Sequence, residues 1–490
     1  MIAINANAQD FLGPWLSKLP TELKDIQIKN LCFDSREVTH GDAFVVMPSV
    51  AGRQAEYVEA AQNNGASLLI ASEDYASSFN GPCLHVPSLL DMMGNLVHST
   101  LGSACEHMPV IGITGTNGKS SISFYLAQLL NELKKPCAVM GTLGYGDTQS
   151  LIETGMTTLP LEQLHLALQK LSGEYQAIAM EVSSHGLEQG RLAGVRFKGA
   201  IYSNLSRDHL DYHGDMASYS AAKAKLFNWP ELEFAVLNRD DEFVDDMINL
   251  TSCEQVIFYG QSERAHLRFT FQKIHNKGMV LEFSWQEQSS SIELPLYGQF
   301  NAYNVAAAVA AALQLGFDFN KTIIALKALR AVPGRMQQVN NEANEPLVLV
   351  DYAHTPDALQ QALQAVKEHC CGNIHLVVGC GGDRDIGKRP LMGKIALQYA
   401  DNVIYTSDNP RTESPELICA HMTEKLPTGT YQIELDRQIA IETAIMAAGP
   451  TDLVVIAGKG HEDYQEVNGQ RSYFSDVAVA QAALMFRSNT

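Results

Sequence analysis

Gly112-Ile113-Thr114-Gly115-Thr116-Asn117-Gly118-Lys119-Ser120 carries the strongest chemical signal in this chain. It follows the apolar run Val110–Thr114 and opens a helical one, Ser121–Leu133, the strand–loop–helix setting that a phosphate loop requires. Glycines at 115 and 118 let backbone wrap around phosphate oxygens, and loop N–H groups and the helix N-terminus face the anion. Lys119 is placed to reach the terminal phosphates, and Ser120 would supply a hydroxyl to Mg²⁺. Ile113 stands where the generic pattern has glycine. A nucleotide-free glycine turn is the bland alternative, and Gly-Lys-Ser in this context speaks against it.

A second constellation follows two further apolar runs. Glu181 lies in Ala177–Val182, and Asp208-His209-Leu210-Asp211 comes after Ala200–Ser203. In a doubly wound sheet these strand ends share the crevice of the phosphate loop. A carboxylate and an imidazole there are candidates for a second Mg²⁺, although histidine is an unusual ligand for so hard an ion. Taken alone, His209 reads more simply as a hydrogen-bonded loop residue. Ser183-Ser184-His185 lacks the Gly-x-Ser-x-Gly elbow of a hydrolase nucleophile. Lys223 sits in the amphipathic run Ser220–Phe227, whose lysines read as a solvated face.

The C-terminal third offers four polar loops, each after an apolar run: Asp351–Asp357, Gly379–Arg389, Asp408-Asn409-Pro410-Arg411 and Gly458–Asp463. With parallel strands all four meet at one sheet edge, where open α/β folds bind ligands.

The elements that must position these residues alternate. Short apolar runs separated by helical sequence predict parallel sheets covered on both faces, and Phe269–Pro295 breaks the pattern with polar alternation that predicts an antiparallel patch. Leu89–Glu106 is predicted as one helix. The 490 residues fit about three domains: a small α/β domain over 1–88, a central phosphate-loop domain with a doubly wound, mostly parallel sheet over 89–336, and a dinucleotide-binding-like α/β domain over 337–490. The non-periodic polar stretch Met336–Pro346 is the expected hinge. A net charge of −20 argues against a general nucleic-acid or anionic-membrane binder. The first residues lack a signal-peptide pattern, and the alanine-rich run Val305–Leu315 is too short to span a bilayer. Nine cysteines without metal-ligand spacing suit reduced thiols in a cytoplasmic protein.

Thr114–Lys119, Asp208–Asp211, Asn301–Asn304, Pro333-Gly334-Arg335 and Asp351–Asp357, in this order and across all three expected domains, resemble the Mur ligases. These are cytoplasmic ATP-dependent amide-forming enzymes that build the peptide stem of peptidoglycan. Asp408–Arg411 is similar to the motif of members that add meso-diaminopimelate, rather than lysine, to the UDP-N-acetylmuramoyl dipeptide. The resemblance implies ATP and two Mg²⁺ ions, with Gly115, Thr116, Asn117, Gly118, Lys119 and Ser120 on the phosphates and the first ion. It puts Glu181 and His209 on the second ion and a CO₂-derived carbamate on Lys223. Asn301, Asn304, Arg335, Asp351 and His354 would serve the nucleotide. Thr157, Thr158, Ser183, Gln189 and Arg191 would hold the muramoyl peptide, and Ser35 its uridine side. Ser49–Gln54 departs from the form some members have at the uridine contact.

The implied reaction phosphorylates the D-glutamate γ-carboxylate, and the incoming amine displaces phosphate. Arg411, with Arg389 at the same edge, would grip the far carboxylate of diaminopimelate, and Glu462 its ammonium; Asp408, Asn409, Pro410 and Gly458 complete that site. The protein would be a monomer that closes about the hinge. The competing readings are the same ligation with L-lysine, a folylpolyglutamate synthetase-like ligase, and a non-enzymatic nucleotide switch.

Overall fold

The computed structural model describes residues 1–47, 52–73, 78–339 and 345–488. Much of the uridine-side segment Ser49–Gln54 and part of the expected hinge therefore lie outside the described residues. Two compact units emerge: Met1–Lys119, Lys134–Leu237 and Asp241–Val256 form one, and Ser120–Leu133, Asn238–Asp240 and Ile257–Thr490 the other.

The first unit opens with a five-stranded sheet, β1 (Ile2–Asn7), β2 (Gln27–Cys32), β3 (Ala43–Val46), β4 (Leu68–Ala71) and β5 (Cys83–His85), in sequence order. β1 is antiparallel to β2 and the rest run parallel. Helix Leu89–Thr100 lays Leu89, Met92, Met93, Leu96 and Val97 onto its core. The predicted continuation to Glu106 fails. Gly102 and Ser103 take left-handed φ values of 84° and 52°, which break the helix before a short turn at Ala104–His107.

A second run of strands comprises β6 (Val110–Thr114), β7 (Cys137–Gly141), β8 (Gly144–Asp147), β9 (Ser150–Ile152), β10 (Ala177–Glu181), β11 (Phe197–Tyr202) and β12 (Phe234–Asn238). Their spatial order is β12-β11-β6-β10-β7-β8-β9. β6 lies between β10 and β11, and Ile113 pairs with both Glu181 and Ile201. That register brings the phosphate loop, Glu181 and the chain after Tyr202 to one edge. Every residue of β6 and β10 is buried, as expected for central parallel strands.

In the second unit, β13 (Gln255–Gly260), β14 (Leu267–His275), β15 (Gly278–Trp285) and β16 (Gln288–Leu294) lie side by side. β14, β15 and β16 form the predicted antiparallel patch. A six-stranded sheet follows: β17 (Gln337–Gln338), β18 (Leu347–Asp351), β19 (Ile374–Val378), β20 (Asn402–Tyr405), β21 (Gln432–Ile433) and β22 (Leu453–Ala457), in the order β17-β18-β22-β19-β20-β21. Only β17 is antiparallel to its neighbour. Ala457 pairs with both Asp351 and Val378, and Val378 with Tyr405, so the four polar loops leave from one edge as predicted. Helices Pro356–Lys367, Lys388–Tyr399 and Pro415–Thr423 pack on one face, and Arg437–Ala447 with Asp476–Ser488 on the other. A hairpin, β23 (Tyr464–Val467) and β24 (Gln470–Tyr473), turns at Asn468-Gly469, both with positive φ. No helix of the described residues is long and apolar enough to cross a membrane.

Candidate active site

In the first unit, Gly115 is required because a Cβ there would collide with Ser203 Oγ. Ser203 Oγ and Asn204 Nδ2 donate to Asn117 O at 2.6 and 3.1 Å, and Asn117 N donates to Asn204 Oδ1. The loop is thus shaped by the end of β11 rather than by a glycine at 113: Ile113 is fully buried strand. Lys119 Nζ donates to Gly115 O and Thr116 O, at 2.8 and 2.9 Å. Lys223 Nζ reaches the same Gly115 O at 2.8 Å.

Lys223 is not on a solvated face. It is 1% exposed, 4.5 Å from the centre of the Tyr219 ring, and burial, then Lys119, pushes its pKa well below the ordinary lysine value. Burial of this kind disfavours the ammonium relative to the neutral amine.

Glu181 is buried and accepts from Thr142 N and Oγ1 at 3.0 and 3.1 Å, in a slot that a Cβ on Gly141 would fill. Thr142 Oγ1 also meets Thr157 Oγ1 at 2.9 Å. Thr158 Oγ1 donates to Glu181 O and accepts from Ser183 N. Arg191 donates to Thr158 O and to Gln189 Oε1, while Ser183 Oγ caps helix Ser184–Glu188. Glu181, Thr157, Thr158, Ser183, Gln189 and Arg191 therefore form one network, with Thr142 an unforeseen member.

His209 makes no direct hydrogen bond to that network but is linked to it through the rings of His185 and Tyr212, whose OH accepts from Gln189 Nε2; it is half-exposed at φ 52° with Asp208 Oδ2 3.4 Å from its Nε2. It belongs to an aromatic group: its ring lies 4.9 Å from His185 and 6.2 Å from Tyr219, and His185 lies 4.1 Å from Tyr212. Burial, then neighbouring His209, lowers the pKa of His185. Tyr219 OH in turn meets Thr116 Oγ1 at 3.3 Å. Among the described residues no group of three or more His, Cys, Asp or Glu side chains is arranged to hold a metal ion. The buried carboxylate of Glu181 suits a hard cation that completes its shell with phosphate oxygens. At the N-terminal sheet, Ser35 is buried and its carbonyl accepts from Asn64 Nδ2.

In the second unit, Asn301 is buried among protein partners: its Oδ1 accepts from Tyr125 OH and Asn304 Nδ2, and its Nδ2 donates to Tyr297 O. Arg335, Asp351 and His354 gather around Tyr352, which the sequence did not single out. Arg335 lies 4.6 Å over that ring, and the His354 ring is also 4.6 Å away. Asp351 accepts from Met336 N and Ala353 N; burial raises its pKa, against the pull of Arg335.

Arg389 does not face the shared edge. It is 0% exposed, its Nη1 and Nη2 grip Glu413 at 2.9 and 2.8 Å, and Nη1 also meets His421 Nδ1. That grip holds the Glu413 carboxyl down at about 2. Its guanidinium braces the loop, donating to Gly381 O, and is not presented to a ligand. The exposed arginine of this loop is Arg384: a Cβ on Gly381 would lie 3.0 Å from Arg411 Nη1 and 3.7 Å from Arg384 Cγ.

Around it, Arg411 (φ 51°) donates from Nη1 to Gly382 O at 2.8 Å and its backbone pairs with the β23–β24 hairpin. Asn409 donates to Glu462 Oε2 at 2.7 Å and accepts from Glu466 N and from the fully buried Lys459 Nζ. Lys459 also donates to Glu462 Oε2, so both bonds fall on one oxygen and Oε1 has no protein partner among the described residues. A Cβ on Gly458 (φ 117°) would lie 2.6 Å from Asp408 Oδ2, so this close approach demands glycine.

The model of the Mur ligase middle domain matches residues 113–312, and that of the Mur ligase glutamate ligase domain matches residues 334–460. A protein of Pseudomonas aeruginosa, UDP-N-acetylmuramoyl-L-alanyl-D-glutamate–2,6-diaminopimelate ligase, is 40% identical over 475 residues, 95% of this chain and 96% of that one. The chain belongs to the Mur ligase family. A Neisseria meningitidis relative of the same name is 39% identical over 465 residues, 93% and 94% of the two chains. A solved structure of a Mur ligase with that name superposes with a TM-score of 0.76 at 38% identity, covering 99% of this chain and 100% of the other. Mycobacterium tuberculosis folylpolyglutamate synthase shares the fold alone, at a TM-score of 0.61 and 20% identity over 80% of this chain and 93% of that one.

Proposed function

We propose that this Mur ligase joins meso-2,6-diaminopimelate to UDP-N-acetylmuramoyl-L-alanyl-D-glutamate in the synthesis of peptidoglycan precursors, driven by ATP. The observation that carries this reading is the single edge on which Asp408, Arg411, Gly458 and Glu462 converge, on a chain whose full-length relatives are diaminopimelate ligases. A carboxylate resists an amine because its oxide is a poor leaving group. Transfer of the γ-phosphoryl group of ATP to the D-glutamate γ-carboxylate gives an acyl phosphate and ADP. The amine then attacks the carbonyl carbon, the C–O bond to phosphate breaks, and the amine proton is lost. No side-chain nucleophile is needed, and the protein's part is positioning and charge stabilisation.

Lys119 leaves its loop carbonyls for the nucleotide phosphates, which Gly115, Thr116, Asn117 and Gly118 wrap. Ser120, Glu181 and His209 would hold Mg²⁺, which when bound neutralises phosphate charge. Lys223 becomes a carbamate, turning a buried amine into an anion beside that charge. Asn301, Asn304, Arg335, Asp351 and His354 serve the nucleotide. Ser35, Thr157, Thr158, Ser183, Gln189 and Arg191 hold the muramoyl peptide. Arg411, with Arg384 in place of Arg389, takes the far carboxylate, and Glu462 Oε1 the ammonium. The proposed organisation is three domains, 1–88, 89–336 and 337–490, with helix Leu89–Thr100 crossing the first boundary to pack on the N-terminal sheet. The proposed site of action is the cytoplasm.

Phosphate release is the test. It should require ATP, the UDP-muramoyl dipeptide and diaminopimelate together, and fall by orders of magnitude with lysine. Release with no acceptor amine, or equal rates with both amino acids, would sink the assignment.

A further inference from the structure

One buried ion pair lies beneath the proposed amino-acid site and takes no part in the chemistry above. Arg437 opens helix Arg437–Ala447, Asp476 opens helix Asp476–Ser488, and both side chains are 0% exposed. The pair is bidentate, with Nε and Nη2 donating to Asp476 Oδ1 and Oδ2 at 2.7 Å each. The same guanidinium donates from Nη2 to Ala457 O at 3.1 Å and from Nη1 to Ser407 O at 3.3 Å. These carbonyls have a particular address. Ala457 ends β22 and precedes Gly458, while Ser407 follows β20 and precedes Asp408. β22 and β20 are not neighbours, because β19 lies between them, so no ladder hydrogen bond sets the distance between their two loops. Arg437 spans that gap. Above it, the loops touch, with Asp408 Oδ2 against Gly458 and Asn409 bonded to Lys459 and Glu462.

A buried ion pair is a poor device for stability alone, since apolar side chains of similar volume often serve as well. What apolar residues cannot do is fix two backbone carbonyls with one planar fork. We infer that Arg437, oriented by Asp476, is a positioning residue that sets the spacing of the Asp408–Arg411 and Gly458–Glu462 loops, and through it the recognition of the amino-acid substrate. The inference rests on the assignment of these loops to diaminopimelate. It predicts that the amino acid alone, among the three substrates, feels the loss of the tie.

Two variants test it. Arg437→Met/Asp476→Leu removes the tie and both buried charges together, and Arg437→Lys keeps the charge opposite Asp476 but loses the fork. The KM for each substrate, kcat, the melting temperature, and hydrogen exchange of residues 407–411 and 458–463 are measured on the full chain. The expected result for the double variant is a melting temperature near that of the wild type and faster exchange in both segments. Its KM for diaminopimelate should rise about tenfold or more, with those for ATP and the UDP-muramoyl dipeptide within about twofold. If the double variant does not fold, Arg437→Lys carries the same comparison. Unchanged exchange and an unchanged KM for diaminopimelate would overturn the inference. So would a parallel loss in all three KM values with a falling melting temperature, because that marks a merely structural pair. Wild-type protein that ignores diaminopimelate would refute the functional reading, and exchange would still decide whether the tie orders the loops.

Discussion

At the scale of single residues, two arginines of one loop cluster that look alike in sequence differ in what surrounds them. Arg411 is partly exposed, bonded to one carbonyl and 4.0 Å from the Glu466 carboxylate, whereas Arg389 is sealed against Glu413. Arg411→Ala should therefore erode the preference for diaminopimelate over lysine by ~100-fold or more while leaving the KM for ATP alone. Equal losses with both amino acids would contradict it. Arg389→Ala should act on stability, costing about 3 kcal/mol by leaving Glu413 without its partner. Denaturant unfolding measures that, and a variant as stable as wild type with altered selectivity would return Arg389 to the ligand. The sequence could not separate the two arginines, because Glu413 lies 24 positions from Arg389 and nothing in the local pattern says which way a helix-opening arginine points. Lys223 was illegible for a related reason. Its helix reads as amphipathic, and only the third dimension buries its amine beside Gly115 O.

Elements were more legible than side chains. Each central strand of the two larger sheets is a short apolar run between a helix and a polar loop, and burial on both faces forces such a run. The motifs fell at strand ends, so placing the strands placed the loops. The β23–β24 hairpin escaped because its residues are polar and largely exposed, leaving no apolar period to read. The helix break at Gly102-Ser103 escaped because one glycine in an apolar period is a weak stop signal. Between elements, the turn Pro333-Gly334-Arg335 presses on the fourth loop: at φ 66°, a Cβ on Gly334 would collide with Gly460 and with the backbone N of His461. Gly334→Ala should destabilise the fold by about 2 kcal/mol or more, from strain and overpacking together. An unchanged melting temperature would show that this contact yields without cost.

For the molecule as a whole, acid is the informative perturbant. His165 is 2% exposed and donates from Nε2 to Ala193 O, 2.8 Å away; burial, against that bond, lowers its pKa to about 4. Between pH 6.5 and about 4 the unfolded chain binds a proton at this site that the folded chain refuses. The stability contributed by the neutral ring is therefore intact above that window and is lost as pH falls through it. From pH 7 to 4.5, His165→Gln should lose about 2 kcal/mol less stability than the wild type, judged by urea midpoints. Identical losses would mean that the ring titrates normally. The order β18-β22-β19 of the last large sheet carries one more consequence, which concerns synthesis. The strand at its centre, Leu453–Ala457, leaves the ribosome long after both strands it must separate. Until then β18 and β19 have no partner on their facing edges, and their earliest possible pairing, with each other, is a wrong one. The sheet must therefore stay open, or reopen, for the last insertion, so the body proposed to select the amino acid should be the slowest to mature.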